Sequence, residues 1–295
     1  MMQISTIQKV KGFFDTRQGG RAENQDSCAS IDTQYGLLVI ICDGMGGGPA
    51  GKLASSVAIK KIEMFLSSYT PDVDEKCSSI LIRAIEHAHN SILQLAEQEE
   101  ARRGMGTTVA AVLLTKRYAI VAHVGDTRIY QYRNKKRIFR SKDHSLVAEL
   151  VCNGTLTEEQ ARLSSQSNII TRALGTKDSR VEIDIRPYKK GDRFMICSDG
   201  IWGMYPEKEL IKLTASNDAL DDIVYKMVEN TDAKGFADGG HHDNLTFALF
   251  EVEENSSMKE KSSKKWIYIG CFLILLISLG FIIWHFFSDK LLQAI

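Results

Sequence analysis

Four aspartates stand where apolar runs of the chain stop. Leu37–Cys42 ends in Asp43-Gly44, Tyr118–Val124 runs into Gly125-Asp126, Arg193–Ser198 ends in Asp199-Gly200, and Asp243-Asn244 opens Leu245–Val252. A carboxylate beside glycine at a strand end rides on rigid scaffold while the backbone turns sharply away. One Asp-Gly is an ordinary turn, but four at the ends of apolar strands ask for a common reason. Carboxylates that converge repel one another unless a cation sits among them. Oxygen ligands without His or Cys suit a hard cation, Mg2+ or Mn2+, and not zinc or copper.

Other candidates compete poorly. His87 and His89 lie two apart on a helical pattern and so point to different faces. His241 and His242 adjoin Asp243, and they either help orient it or belong to a solvated glycine-rich loop. The segment Asp43-Gly-Met-Gly-Gly-Gly48 has neither G-x-G-x-x-G nor a following G-K-[ST], so a nucleotide loop is a weak reading of it. Its glycines fit close approach of backbone to a metal or a phosphate better.

The elements that must hold these residues have mixed periods. Helical spacing appears in Ala54, Val57, Ala58, Ile62, Phe65 and Leu66, recurs from Ile80 to Leu95, and returns from Leu220 to Val228. Strand-like runs cover Leu37–Cys42, Thr107–Leu114, Tyr118–Val124, Arg128–Tyr132, Arg193–Cys197 and Leu245–Val252. Two helices, a block of strands, then a helix before the last strand is not regular β-α-β alternation. It predicts α+β with largely antiparallel sheets.

Composition narrows the partners. Among 295 residues, 37 Lys and Arg balance 37 Asp and Glu, which argues against a surface that coats nucleic acid. The balance is uneven, because residues 256–295 hold five lysines and two acids and leave the rest mildly acidic. Six cysteines without a C-x-x-C pair read as reduced thiols, and Cys42 and Cys197 as small buried hydrophobes. The N-terminus has no continuous apolar core of a signal peptide. Trp266 to Phe287 carries 22 residues without acid, Lys or Arg, and as a helix would reach about 33 Å, enough to span a bilayer. A polar linker, 255–265, precedes it with four lysines, so the positive-inside tendency puts the body in the cytoplasm.

In order along the chain come Arg21-x-x-Asn24-Gln25-Asp26, Asp43-Gly-Met-Gly-Gly, Gly106-Thr-Thr, Val124-Gly-Asp-Thr-Arg128, Asp143-His-Ser, Thr171-Arg-Ala-Leu-Gly175, Cys197-Ser-Asp-Gly200 and Asp243-Asn244. Over residues 10–252 this series resembles the metal-dependent protein phosphatase family of type 2C, in its bacterial form. The resemblance implies a four-layer α/β/β/α sandwich of two antiparallel sheets with a metal cleft at one edge. It implies that Asp43 bridges two metal ions, Mn2+ or Mg2+, and that the Gly44 carbonyl ligates one of them. Asp199 and Asp243 match the remaining ligands of the first ion, and Asp126 matches a ligand of a third, looser one. Asp26 matches a carboxylate that holds metal-bound water, and Arg21 the arginine that grips the substrate phosphate. The chemistry agrees, since two cations about 3.5–4 Å apart acidify a shared water and stabilise both oxygens of an in-line displacement. Arg21 offers a planar fork for phosphate, and outside the motif it would read as a surface partner of Glu23 or Asp26.

Departures from the pattern are specific. Gln25 replaces a common glutamate, and Met45 stands where animal members carry a histidine, which leaves the leaving-group acid unassigned. Gly48 and Lys52 replace His and Glu, and a cation near Asp43 would weaken metal binding. Val147–Ser167 matches the variable flap beside the cleft. The expectation is therefore a catalytic domain over 1–254, a linker over 255–265, a transmembrane helix over 266–287 in contact with lipid, and a tail over 288–295. The expected activity is removal of phosphate from phosphoserine and phosphothreonine proteins, opposing a protein kinase, from the cytoplasmic face of a membrane. The rival reading is a silent membrane-bound scaffold that binds phosphoproteins without turning them over.

Overall fold

The computed structural model describes residues 1–4, 10–47, 49–72 and 75–254. Gly48 and the linker and apolar segment expected over 255–287 lie outside the described residues, and among those described no helix is long and apolar enough to cross a membrane. In chain order the first half runs β1 (Met2–Gln3), β2 (Val10–Arg17), β3 (Ser27–Thr33), β4 (Gly36–Cys42), β5 (Gly44–Met45), α1 (Ala50–Ser68), α2 (Cys77–Gln98), β6 (Gly106–Thr107), β7 (Val109–Leu114) and β8 (Ala119–Val124). The second half runs β9 (Arg128–Arg133), β10 (Lys136–Arg140), α3 (Leu146–Cys152), α4 (Glu158–Arg162), β11 (Glu182–Arg186), β12 (Arg193–Cys197), α5 (Asp199–Trp202), α6 (Glu207–Thr214), α7 (Leu220–Ala237) and β13 (Leu245–Val252).

Two antiparallel sheets carry the body. One has the order β1-β2-β13-β12-β9-β10 and the other β11-β8-β7-β4-β3. Strand side chains alternate between faces, so a strand buried on both sides must be apolar at every position. β4 is such a strand. Its Leu38, Ile40 and Cys42 pack with Ala54, Ala58 and Ile62 of α1 and Ile85 and Ile92 of α2. Its Leu37, Val39 and Ile41 face the other sheet, against Phe14, Ile129, Phe194 and Phe250. That second sheet repeats the device, turning Tyr130, Met195, Cys197, Phe247 and Leu249 outward onto Trp202, Leu210, Ile223 and Met227 of α5–α7. Three apolar layers thus bind four structural ones, helix on sheet on sheet on helix, as the α+β expectation required.

Register decides where the chemistry lies. β4 and β8 are both antiparallel to β7, so they run the same way and end at one edge. Asp43 follows β4 and Asp126 lies two residues past β8. β3 begins where β4 ends, with Ser27 opposite Cys42, which brings Asp26 to that edge. In the other sheet β12 ends where β13 begins, with Asp199 after one and Asp243 before the other. β2 ends there too, with Arg17 opposite Leu245, and Arg21 lies four residues on.

Candidate functional site

At this edge a cavity of about 560 Å3 is lined by Asp43, Asp126, Asp199 and Asp243, with Arg21, Gly44 and Met45 among its other walls. Tight backbone contacts place each carboxylate. The Asp43 N–H donates to Thr108 Oγ1 at 2.9 Å, and the Asp43 carbonyl accepts from Thr108 N–H at 2.8 Å and Thr107 Oγ1 at 2.9 Å. Thr108 Oγ1 also bonds Thr127 Oγ1 at 2.7 Å, so one side chain ties the Asp43 turn to the Asp126 turn. A Cβ at Gly44 would stand 2.1 Å from the Gly51 carbonyl oxygen, which leaves glycine as the residue that fits beside Asp43. Gly125 has φ +105°, and a Cβ there would meet Thr108 at 2.6 Å, so the turn before Asp126 has the same requirement. The indole Nε1–H of Trp202 donates to the Asp126 carbonyl at 3.0 Å.

Asp26 sits behind this group, buried. Its Oδ2 accepts from Ser198 Oγ at 2.9 Å and from Thr246 Oγ1 at 2.6 Å. Asn24 sets the approach, its Oδ1 accepting from the Asp26 N–H and its Nδ2 donating to Thr16. Asn244 closes the same corner, its Oδ1 accepting from the Gln25 N–H and its Nδ2 donating to the carbonyls of Gln18 and Glu23.

Electrostatics state what the cluster lacks. Burial pushes Asp43 well above the usual carboxylate range, and Asp26, Asp199, Asp126 and Asp243 push the same way. Burial, then Asp199 and Asp143, raise Asp126 likewise. Asp199 is pushed up to about 7 by burial, Asp243 and Asp26. Asp26 is pushed up to about 6 by burial and Asp243, against hydrogen bonds from Thr246 and Ser198 that favour its charge. Oδ1 of Asp199 is buried with no hydrogen-bond partner. An all-oxygen donor set, mutual repulsion and an unsatisfied buried carboxylate oxygen are what a hard divalent cation would relieve. The residues present fit such ions.

Arg21 lies at the rim, half exposed, with Nη2 donating to Asp243 Oδ2 at 2.7 Å. Its partner is neither Glu23 nor Asp26. Lys52 lies on α1 beside the start of β3. Its Nζ donates to the Asp26 carbonyl at 2.6 Å and Ser27 Oγ at 3.2 Å, where it ties α1 to the start of β3. His242 donates its ring to packing, with Nε2 2.8 Å from Asp232 Oδ1, and so braces the loop before Asp243 from behind. Cys42 and Cys197 are buried, and burial pushes both thiols far up, which keeps them unreactive.

Some site residues had no role assigned from sequence. Thr108 and Ser198 lie within the quoted motifs and Thr246 outside them, but all three are hydroxyls whose partners lie far away in the chain, so the sequence does not say what they bind. His144 is another. Its Nδ1 accepts from the Gly125 N–H at 3.1 Å while its own N–H donates to the Gly125 carbonyl at 3.0 Å, clamping the residue before Asp126. Nε2 then carries the proton and faces Glu182 Oε2 at 3.2 Å. His123, His144 and Glu182 place potential ligand atoms within 4.8 Å of one another, but the Arg172 guanidinium lies 3.2 Å from His144 Nε2 and already supplies positive charge there. The trio braces a turn.

Comparisons with known proteins identify the family and the fold. A family model described as Protein phosphatase 2C matches residues 16–247. A serine/threonine phosphatase of Listeria welshimeri is 33% identical over 248 residues, covering 83% of this chain and 92% of that one. Among solved structures, the S. agalactiae serine/threonine phosphatase superposes with a TM-score of 0.73 at 31% identity, over 83% of this chain and 100% of that one. The catalytic domain of the serine/threonine protein phosphatase PstP, solved with two manganese ions, gives a TM-score of 0.70 at 27% identity, over 83% of this chain and 99% of that one.

Proposed function

The chain belongs to the protein phosphatase 2C family and is a protein-serine/threonine phosphatase, and we propose that its aspartates hold two divalent cations, Mn2+ or Mg2+, for hydrolysis of phosphoserine and phosphothreonine at a membrane surface. The observation that carries this reading is the delivery of Asp43, Asp126, Asp199 and Asp243 from four strand ends, two in each sheet, to one cavity with Arg21 at its rim. In this reading Asp43, Asp199 and Asp243 with the Gly44 carbonyl would hold the two ions, and Asp126 would serve a third, looser one. Bound there, such cations acidify water and offset charge on a phosphoryl group. Ser198 and Thr246 fix Asp26 through Oδ2, so its carboxyl orients a water without having to reorganise.

Arg21 presents two parallel N–H donors to a phosphate that displaces Asp243 as its partner. Arg21→Lys keeps the charge and loses the fork, so KM for a phosphopeptide should rise roughly tenfold, the cost of about one charge-assisted hydrogen bond. Metal affinity should stay near wild type; a collapse of metal affinity at constant KM would make Arg21 structural.

The body is proposed to face the cytoplasm, tethered by a span over residues 266–287 and a linker over 255–265. Twenty-two residues without a formal charge support the span, and Lys259, Lys261, Lys264 and Lys265 support the orientation and contact with anionic lipid. The three apolar layers are built from described residues within 1–254, so this part should fold alone. The full chain should sediment with membranes and hydrolyse a phosphothreonine peptide with Mn2+, a chelator should stop it, and a chain ending at Glu254 should be soluble and equally active. Hydrolysis that persists under chelation would refute the metal reading. A full chain that stays in the supernatant would refute the anchor.

A further inference from the structure

The metal cavity opens sideways into a second, shallower groove. Met45 and Ile170 line both the cavity that holds the aspartates and this neighbour, whose volume is about 750 Å3. Past those two residues the groove is walled by Arg172, Lys177, Asp178 and Arg180. Three cations face one acid. Arg180 grips Asp178 through Nε at 2.9 Å and Nη2 at 2.7 Å, and Arg172 lies 3.8 Å from the same carboxylate. The first of these bonds holds the Asp178 carboxyl well below the usual carboxylate range, so it stays charged and still neutralises only one of the three. Lys177 is exposed and makes no ion pair among the described residues.

Folding does not account for this surplus. An exposed ion pair such as Arg180 with Asp178 adds little to the fold, and Lys177 makes no ion pair among the described residues. The contrast with the adjoining cavity is marked, since there four aspartates outnumber Arg21. A phosphopeptide seated with its phosphate beside Arg21 meets net positive charge where its chain runs over Met45 and Ile170.

We propose that this groove is a subsite for acidic residues flanking the phosphorylated serine or threonine, with Lys177 and Arg180 as the residues that select them. The inference rests on the phosphatase reading above and names the substrate class within it. Complementary charge at a rim raises encounter rate and selects among partners, and its effect fades as salt screens it.

The test uses the full chain in detergent with Mn2+ and phosphothreonine peptides carrying Glu, Ala or Lys two to four residues from the phosphothreonine, on either side. Wild type should favour the best Glu peptide over its Lys counterpart in kcat/KM by about three- to thirtyfold, the range that two exposed ion pairs supply. Lys177→Glu with Arg180→Glu should invert that order while leaving p-nitrophenyl phosphate, which does not reach the groove, hydrolysed at the wild-type rate. High salt should compress both preferences. An unchanged Glu-to-Lys ratio in the double variant, or a wild type indifferent to flanking charge, would overturn the subsite. Failure of wild type to hydrolyse p-nitrophenyl phosphate with Mn2+ would instead overturn the phosphatase reading beneath it.

Discussion

Asp43→Asn should lower phosphopeptide hydrolysis by about a thousandfold, because the charge proposed to hold the cations is gone and each 1.36 kcal/mol of lost transition-state stabilisation is tenfold in rate. Asn keeps the size of the side chain and the backbone bonds to Thr107 and Thr108, so the fold should persist. Stability separates this outcome from simple damage. Burial and four neighbouring aspartates raise Asp43 far above its ordinary range. A carboxyl whose folded pKa is raised binds its proton more tightly in the folded state, so stability falls as pH rises from the unfolded value of about 3.9 toward the folded one. Asp26, pushed up to about 6, and Asp199, pushed up to about 7, set the window. Chelated wild-type protein should therefore lose Tm between about pH 4 and pH 7, and Mn2+ should restore it at pH 7. In chelator at pH 7 the Asp43→Asn protein should melt no lower than wild type, and Mn2+ should raise its Tm far less. A variant that keeps wild-type turnover and a full Mn2+ shift would remove Asp43 from the site.

The second large effect is on stability. Arg128 donates to both oxygens of Asp143, at 2.7 to 3.1 Å, and its guanidinium lies 3.7 Å over the Trp202 ring. Both charged side chains are largely buried, at 14% and 9% exposure. Removing one partner leaves the other as an uncompensated buried charge, which costs about 3–5 kcal/mol. Arg128→Ala and Asp143→Ala should each lower the urea midpoint accordingly. The pair Arg128→Met with Asp143→Leu should recover most of the loss, since apolar replacements of similar volume avoid the desolvation penalty. Single variants within about 1 kcal/mol of wild type would show that water reaches the pair and that it adds little to the fold. Activity should drop as well, because Trp202 carries the Asp126 carbonyl and loses its stacking partner.

Legibility in the sequence followed burial. The six runs read as strands correspond to β4, β7, β8, β9, β12 and β13, which occupy interior positions of the two sheets. A strand covered on both faces has to be continuously apolar, and such a run is visible without any partner. The strands left unread include every sheet edge, β1 and β10 in one sheet and β11 and β3 in the other. β3, SCASIDT, is half-buried except at the exposed Asp32 and shows neither a run nor a clean alternation. The helices α3 and α4 of the flap are short and held by caps and ion pairs, such as the Thr157–Gln160 box and Arg140 with Glu158, more than by an apolar stripe.

The same division runs through the site. Asp43, Asp126 and Asp199 could be picked out from the chain alone because an acid next to glycine at the end of an apolar run is a local signal, Asp243 because it opens such a run, and the ordered motifs named the family. Their convergence is not local. It follows from two sheets packing face to face with β4, β8, β12 and β13 opening at one edge, which antiparallel register sets across separations of up to 200 residues. Ser198 and Thr246 on Asp26, Thr108 between two turns, His144 on Gly125 and the turn of Lys52 toward the Asp26 carbonyl belong to that second kind. A hydroxyl or an imidazole carries no mark of its partner in sequence, since its hydrogen bond is defined by distance and angle, and only the packed sandwich brings those atoms within 3 Å or so of one another. Residue chemistry was written in the chain; which oxygen meets which donor was decided by the packing of one sheet on the other.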